Sequence, residues 1–598
     1  MARALQRGEL VSARAALGLL AHHGPEQAVK RLASGGAPVP PRPAFPDGRR
    51  SDTDLARILA LPWGFEPTAD LTPSLARAGG AMLLRQVQSA ALAQTRRAGG
   101  LVGAIPVGSG KTLVALLAPR VLGAARPLLL IPAALRDQCM RDIERYGKHF
   151  DLPVLTVRSY ESLSGADRSG MLTILAPDLI IADEAHKLRY MRSVRSRRVA
   201  RYLKEHPECR FVGLSGTITR GAIRDFGHLA AWALGERSPL PLGEGLLIAW
   251  DKVLEEEVPP GRLFGPICAR AVETRPRHAL RAHLGAAHGV VLAGGEDAEC
   301  SLVLYERRLD VPPHLQVLIN RVVSTSRAPN GDELESPLAV ARVLGQLACG
   351  FYYYWDWSPE PWRGVPDAPW LETRSAWHKA VRQTLESSFA VEKRDSPMLL
   401  ARLCARGGDV PESLMRAWQA WRPHRDKVPP PVLPCWVDRH VVEDAVAWAK
   451  REDDPPLLWY AHRAVGDELV RLSGWERFGE GQDASRRLAS ATAPSPGVIA
   501  VAAHGHGKNL QVWGNQIFVA ALRGGATFEQ ALGRTHRLGQ ARDEVTATIY
   551  VHGPFQDAMV AAMASAERIE ETTGQAQRLR YASRVRCPKP EGLMLGGA

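Results

Sequence analysis

Two segments that lie far apart in this chain carry the residue types that handle phosphate. QALGRTHRLGQ, residues 530–540, has the form of a helix that aims arginine side chains at a nucleotide. Guanidinium groups stabilise charge on a transferring phosphoryl group only when another element holds that group, so a phosphate site is required elsewhere. VGSGKT, residues 107–112, is the matching candidate. Together the two segments predict a site that hydrolyses a nucleotide.

The glycine-rich segment is typical of a loop that surrounds phosphate. An apolar run over residues 101–105 precedes it and LVALLAP follows it, which predicts a strand, a loop and a helix in that order. Lys111 is expected to reach the β- and γ-phosphates of ATP, and Thr112 to offer a hydroxyl to Mg²⁺. Ile105 stands where the general pattern has glycine, which weakens the interpretation as a generic kinase or GTPase. A turn without a ligand is the alternative, because glycine-rich turns that join a strand to a helix are common. The residues expected to surround the phosphates are Gly108, Ser109, Gly110, Lys111 and Thr112.

DLIIADEAH, residues 178–186, predicts a buried strand that ends in two carboxylates. Asp183 is placed to hold Mg²⁺ through water, and Glu184 to polarise the attacking water molecule. His186 would relay contacts between the nucleotide and a second lobe. A strand that ends in a solvated acidic turn is the alternative, and the presence of VGSGKT in the same chain makes it the weaker one.

The order of these and further segments resembles the superfamily-two helicases, and within them the Swi/Snf-like translocases of double-stranded DNA, including compact members of bacteria and their viruses. The resemblance covers most of the chain, and the ending THRLGQ is of the Swi/Snf type rather than the DEAD-box type. The further segments that carry it are LLRQVQSAAL (83–92), LLLIPAALRDQCMRDIERY (128–146), VRSYESL (157–163), LSGTIT (214–219), PLLWYAH (456–462) and GHGKNLQ (505–511).

The resemblance implies a role for particular residues of these segments. Beyond the glycine-rich loop, those implied to bind ATP are Gln88, which would read adenine, and Gln540. Those implied to contact DNA are Ser159, Tyr160, Lys508 and Asn509. Those implied to couple hydrolysis to lobe movement are His186, Ser215, Gly216 and Thr217. Those implied to act in hydrolysis are Lys111, Glu184 and the paired arginines Arg534 and Arg537.

Strand and helix patterns alternate in two parts of the chain, which predicts an α/β fold. We expect two RecA-like parallel-sheet lobes, a helical, tryptophan-rich insertion between them and a helical N-terminal extension. The predicted boundaries are 1–71 for the extension with its proline-rich linker, 72–234 for the first lobe, 235–453 for the insertion, 454–573 for the second lobe and 574–598 for a flexible tail.

The role of the tryptophan-rich insertion is open on sequence alone. Eleven of the fifteen tryptophans lie between Trp355 and Trp475. Such rings could stack on exposed bases or wedge a fork, because every base offers a π-face. They could equally pack a helical protrusion, and their spread over a hundred residues favours packing.

Charge favours a polyanionic partner. The formal net charge is +13, and neutralising phosphates with basic side chains releases counterions. RSVRSRRVAR, residues 192–201, predicts a helix whose arginines form a solvated face, with contact to the DNA backbone as the alternative.

The eight cysteines are scattered without a C-x-x-C pair, which predicts buried thiols in a reducing compartment. No run of about 18 apolar residues and no signal pattern at the N-terminus occurs, so we expect no membrane association and a place in the cytoplasm of a bacterial or phage-infected cell.

The resemblance therefore implies a DNA-stimulated ATPase that uses ATP and Mg²⁺ to move along double-stranded DNA. We expect it to act as a monomer on DNA, with residues 1–71 available to a protein partner. Two alternatives remain: a helicase that separates strands of DNA or RNA, and a nucleic-acid-binding scaffold whose motor is vestigial. The first would use part of the tryptophan-rich insertion as a pin, and the second would have no need of Lys111, Glu184 and Arg537 together.

Overall fold

The computed structural model describes residues 49–64, 70–106, 108–165, 168–216, 222–256, 258–294, 298–360, 362–363, 368–387, 395–479, 482–505 and 509–587. These residues form two compact units. The first unit draws its residues from 1–295, 371–425 and 571–575, and the second from 296–370, 426–570 and 576–598. Each is built around a parallel sheet with helices, which confirms the α/β class and the presence of two parallel-sheet cores.

Six parallel strands form the sheet of the first unit. They are β1 Leu101–Ala104, β2 Pro127–Ile131, β3 Thr156–Ser159, β4 Leu179–Asp183, β5 Arg210–Ser215 and β6 Val290–Leu292. Their order across the sheet is β3-β2-β4-β5-β1-β6. The strands β1, β2 and β4 are buried at every position, because helices cover both faces. This explains why their residues are apolar, with Asp183 at the end of β4 as the exception.

Seven parallel strands form the sheet of the second unit, which also has a separate antiparallel ribbon. The strands are β7 Ser301–Arg307, β8 Phe351–Trp355, β9 Val432–Trp436, β10 Leu457–Tyr460, β11 Glu476–Phe478, β12 Gly497–Ala500, β13 Asn515–Val519, β14 Glu544–Tyr550 and β15 Ser583–Arg586. The sheet has the order β11-β12-β10-β13-β14-β7-β15, and β8 pairs with β9.

The helices are numbered along the described chain. The first unit contains α1 Ser51–Leu59, α2 Thr72–Leu75, α3 Gln86–Ala98, α4 Lys111–Leu122, α5 Arg136–Tyr146, α6 Met171–Leu175, α7 Val194–Glu205, α8 Gly227–Leu234, α9 Glu244–Glu256, α10 Gly265–Ala271 and α11 Pro276–Gly285. The remaining helices are α12 Pro313–Thr325, α13 Pro337–Ala348, α14 Ala368–Ser387, α15 Pro397–Ala405, α16 Glu412–Arg425, α17 His440–Ala449, α18 Arg463–Ser473, α19 Gln482–Ala489, α20 Val501–His504, α21 Gly525–Leu532, α22 Pro554–Thr573 and α23 Arg578–Tyr581.

The arrangement differs from the predicted boundaries in the region expected to be a helical insertion. Residues 235–453 contain β6, which pairs with β1, and β7, which pairs with β14. β15, in the segment predicted as a tail, pairs with the other side of β7. These three strands belong to the two sheets because they pair with strands that are distant in sequence. Local sequence patterns do not reveal such pairing.

The described part of the predicted N-terminal extension is not separate from the first unit. Leu55 and Ile58 of α1 lie in the core of that unit. Asp54, fully buried, accepts hydrogen bonds from the backbone N–H groups of Leu242 and Gly243 at 2.7 and 2.8 Å. Residues 1–48, with most of the predicted extension, lie outside the described residues.

Nine of the fifteen tryptophans are buried core residues. All fifteen are described, and each is buried or half-buried. In the second unit Trp370 contacts Trp355, Trp357 and Trp362 edge to face, with ring centroids 5.5 to 5.7 Å apart. In the first unit the rings of Trp377 and Trp418 are 5.3 Å apart. These contacts agree with the packing interpretation of the insertion.

The eight cysteines, all of them among the described residues, form no disulfide with one another, and six of them are buried. Among the described helices, none combines the length and the apolar character that crossing a membrane requires.

Candidate functional site

The glycine-rich loop joins β1 to α4 as the sequence predicts. Gly108 and Gly110 have φ angles of 98° and 78°, a region that side chains disfavour, so glycine allows the backbone to turn at both positions. Gly110 is the N-cap of α4, and Lys111 and Thr112 form the first turn of that helix. The positive end of α4 therefore faces the loop. Val107 lies outside the described residues.

An ion pair links this loop to the acidic end of β4. Lys111 Nζ lies 3.7 Å from Glu184 Oε1, and each side chain is only 9% exposed. Glu184 follows β4 directly and has a φ of 60°, a conformation that costs a non-glycine residue roughly 1–2 kcal/mol. Strain of this kind is concentrated at functional sites. Here it accompanies a carboxylate that faces the glycine-rich loop.

Asp183 gives the site an excess of negative charge. It is the last residue of β4, and its Oδ1 accepts the N–H of Glu184 at 3.1 Å. Burial, together with the neighbouring Glu184 carboxylate, raises the pKa of Asp183 to about 7. A divalent cation nearby would lower this pKa again, because it favours the ionised carboxylate. Asp183 and the half-buried Thr112 thus fit the requirements of Mg²⁺, a cation that prefers oxygen ligands.

His186 and Ser215 connect the acidic strand end to the neighbouring strand. His186 Nδ1 is 3.0 Å from Ser215 Oγ and 3.3 Å from Glu184 Oε2. Ser215 ends β5, which lies between β4 and β1, so this contact crosses the carboxyl edge of the sheet. Burial lowers the pKa of His186, which keeps the ring neutral. Gly216 follows Ser215, and Thr217 lies outside the described residues.

Gln88 fixes the start of α3 against the glycine-rich loop. Its Oε1 accepts the N–H of Arg85 at 2.8 Å, and its Nε2 donates to the carbonyl of Gly110 at 3.3 Å. Arg85 Nη1 donates to the carbonyl of Gly108 at 3.1 Å. The glutamine thus lies at the loop, and its role in reading adenine stays a prediction.

Tyr160 takes a different place from the one predicted. It is fully buried, and its hydroxyl donates to the backbone carbonyl of Asp183 at 2.7 Å. It therefore supports the acidic strand end, and its burial removes it from the contact with DNA predicted for it. Ser159 accepts the N–H of Ser162 at 3.2 Å and caps the short 3-10 segment Tyr160–Leu163.

The two paired arginines of the second unit lie in different environments. Arg534 is 2% exposed, and its Nε donates to the carbonyl of Gln530 at 2.8 Å within the preceding helix turn. Arg537 is half-buried, and its Nη1 donates to the side-chain oxygen of Asn509, which is exposed. Arg537 is thus the arginine nearer to solvent. Lys508, beside Asn509, lies outside the described residues.

The segment that carries these arginines is braced from the sheet. Trp459 Nε1 donates to Gln516 Oε1 at 2.9 Å, and Gln516 Nε2 donates to Thr535 Oγ1 at 2.9 Å. Gln540 Nε2 donates to the carbonyls of Thr535 and Trp513 at 3.0 and 3.2 Å. Gln540 therefore shapes the turn after Arg537, and a contact between Gln540 and ATP stays a prediction.

The chain matches no protein-family model, and a search of curated proteins finds no match either. The geometry therefore carries the functional argument. In the first unit it brings together Lys111, Asp183, Glu184, His186 and Ser215. In the second it brings Arg537 to Asn509 and buries Arg534. The supporting roles of Tyr160 and Gln516 have no local signal in the sequence, because their partners are distant in the chain.

Proposed function

We propose that this protein is an ATPase of the Swi/Snf-like type, stimulated by nucleic acid, that uses ATP hydrolysis to move along double-stranded DNA. The supporting observation is the 3.7 Å pair of Lys111 and Glu184, which places a cation of the phosphate loop beside a general-base candidate. Under this proposal the two sheets are RecA-like lobes. The protein would act as a monomer in the cytoplasm, with residues 1–71 available to a protein partner.

The ion pair suggests how the site changes when ATP binds. The γ-phosphate offers Lys111 a more strongly charged partner, so the ammonium turns from Glu184 to the phosphate oxygens. Glu184 is then free to accept a proton from the attacking water. His186 keeps Glu184 linked to Ser215, so this change at the phosphate also reaches the end of β5.

Mg²⁺, held by Thr112 and Asp183, would neutralise developing charge on the phosphate oxygens. Arg537 of the second unit would supply the remaining positive charge when DNA promotes the closed state of the enzyme. The net charge of +13 supports a polyanionic partner. Nine of the fifteen tryptophans are buried, which favours packing over a pin or a stacking platform, since those roles require exposed rings.

Separate measurements of ATP binding and turnover test the proposal. We expect Glu184→Gln to bind a fluorescent ATP analogue with unchanged affinity and to hydrolyse ATP at least a hundredfold more slowly. Lys111→Ala should lose most of the binding, because the phosphates lose their cation. Lys204→Ala, on the exposed side of α7, is the control and should match the unaltered protein. Normal binding and turnover by Lys111→Ala would refute an ATP site at this loop.

A further inference from the structure

Arg578 lies outside every motif discussed above, yet it contacts the segment that carries the paired arginines. It begins α23, and its Nε lies 3.2 Å from both the Nδ1 and the backbone carbonyl oxygen of His536. His536 directly precedes Arg537. One N–H group of Arg578 therefore holds both the side chain and the main chain of the residue next to Arg537.

The hydrogen bonds of His536 indicate which of its ring nitrogens carries the hydrogen. Its Nε2 lies 2.9 Å from the carbonyl oxygen of Cys300, and a carbonyl can only accept, so Nε2 carries the hydrogen. Nδ1 is then an acceptor in the neutral ring, which matches the donor Nε of Arg578. The imidazole is thus held from both sides by partners of the correct hydrogen-bonding type.

Glu529 holds Arg578 in place through two groups. Its Oε1 pairs with Arg578 Nη1, and its Oε2 accepts the backbone N–H of Arg578 at 2.6 Å. The side chains of Glu529 and Arg578 are 9% and 7% exposed. A buried pair of this kind is costly unless its geometry is satisfied, so it favours a single arrangement of α21 against α23.

Cys300 and Arg578 are both linked to the same strand. Cys300 immediately precedes β7. The segment that begins with Arg578 continues into β15, which pairs with β7 from Val303 to Glu306. The position of the His536 backbone, and with it that of Arg537, is therefore tied to the C-terminal segment of the second unit.

We propose that Arg578 is a positioning residue that, through Glu529 and His536, sets the orientation in which Arg537 is presented to the phosphates. This inference rests on the proposed ATPase function. Arg578 does not touch the nucleotide in this scheme. It restricts the freedom of the main chain at residue 536, so that Arg537 reaches the closed site in one orientation.

The first test is the substitution Arg578→Lys, which keeps the charge beside Glu529 but loses the planar fork of donors. We expect kcat with saturating DNA to fall at least tenfold while KM for ATP stays within twofold. Arg580→Lys is the matched control, since Arg580 lies on the same helix and pairs with Glu567 and Glu570 instead. If Arg578→Lys does not fold, Glu529→Gln weakens the same pair and should give the same kinetic change.

The second test is a double-mutant cycle. In the Arg537→Ala background, Arg578→Lys should cause no further loss of kcat, because its effect acts through Arg537. Losses that multiply would show that Arg578 acts independently, and the inference would be wrong. An unaltered protein that hydrolyses no ATP would instead refute the proposed function.

Hydrogen–deuterium exchange tests the positioning without any catalytic readout. Exchange in residues 533–540 should rise severalfold in Arg578→Lys, while exchange in β10 should stay as in the unaltered protein. Unchanged exchange in residues 533–540 would overturn the inference, whatever the ATPase result.

Discussion

At the scale of single residues, opposite charges in the site partly compensate each other. Lys111 and Glu184 are both nearly buried, and neither would be stable there without a partner. Asp183, with its raised pKa, is the group that remains poorly compensated. A bound phosphate would give Lys111 a second anionic partner, and a divalent cation would compensate the charge of Asp183.

The different burial of the paired arginines leads to different expectations for their removal. Arg537→Ala should lower kcat at least a hundredfold while leaving ATP binding and the melting temperature nearly unchanged, because a half-exposed side chain is lost. Arg534→Ala should lower the melting temperature as well, because it removes a buried side chain that bonds to the carbonyl of Gln530.

Calorimetry and phosphate release on the same preparations separate these two effects. Arg523→Ala, an exposed arginine just before α21, provides the comparison. Normal turnover by Arg537→Ala would show that this residue is not the one that stabilises the reacting phosphate.

At the scale of elements, helix α7 shows where local sequence misleads. The arginine run that it contains was expected to form a solvated face, and this is wrong at its centre, where Arg197 and Arg198 are 3% and 2% exposed. Arg198 forms two hydrogen bonds to Asp395 and donates to the carbonyls of Leu163 and Gly165. It fastens the helix to the segment that follows β3.

Substitutions on this helix should therefore separate stability from DNA binding. Arg198→Gln should destabilise the first unit by about 3–5 kcal/mol, because it weakens the compensation of the buried Asp395. Arg192→Gln, at a side chain 77% exposed, should change stability by less than about 1 kcal/mol.

Urea unfolding measures the first effect. The salt dependence of DNA affinity measures whether Arg192 touches the backbone, in which case its slope falls by about one. Equal stability of the two variants would contradict the structural role given to Arg198. An unchanged salt slope would show that Arg192 does not contact the DNA backbone.

The sequence was sufficient to place the elements that carry the first half of the site. β1 is an apolar run, and β4 is apolar up to Asp183. The glycines and Lys111 mark the start of α4, so local patterns agree with the fold there. β6 has only three residues. β7 directly follows β6 in the chain but belongs to the other sheet. Neither they nor the partners of Arg578 could be predicted, because pairing across hundreds of residues determines them.

At the scale of the whole molecule, buried histidines make stability depend on pH. Burial lowers the pKa of His228 and His283 in the first unit, and of His552 in the second, to about 4. An unfolded histidine titrates near 6.5, so between these values the unfolded chain binds more protons. Stability from each histidine is therefore complete above about pH 6.5 and falls as the pH drops toward 4.

Lowering the pH from 7.5 to 5 should reduce the free energy of unfolding by about 2 kcal/mol for each of these histidines. The raised pKa of Asp183 has the opposite effect, since it makes the protein more stable as the pH falls. The measurement is therefore the difference in pH dependence between the unaltered protein and its His283→Gln variant. Urea unfolding at both pH values should show a smaller pH effect in that variant. His314→Gln, at an exposed position, should keep the full effect. An identical pH dependence of His283→Gln and the unaltered protein would contradict the assignment.

The proposed activity depends on the whole molecule, because a nucleic acid would have to bring the proposed phosphate site of one unit together with Arg537 of the other. The most direct measurement is phosphate release by the purified protein without nucleic acid and with duplex DNA, single-stranded DNA or RNA, with Glu184→Gln as the inactive control. We expect slow release alone and strong stimulation by duplex DNA. Stimulation mainly by single strands or RNA would favour a helicase, and no stimulation by any of the three would contradict the claim.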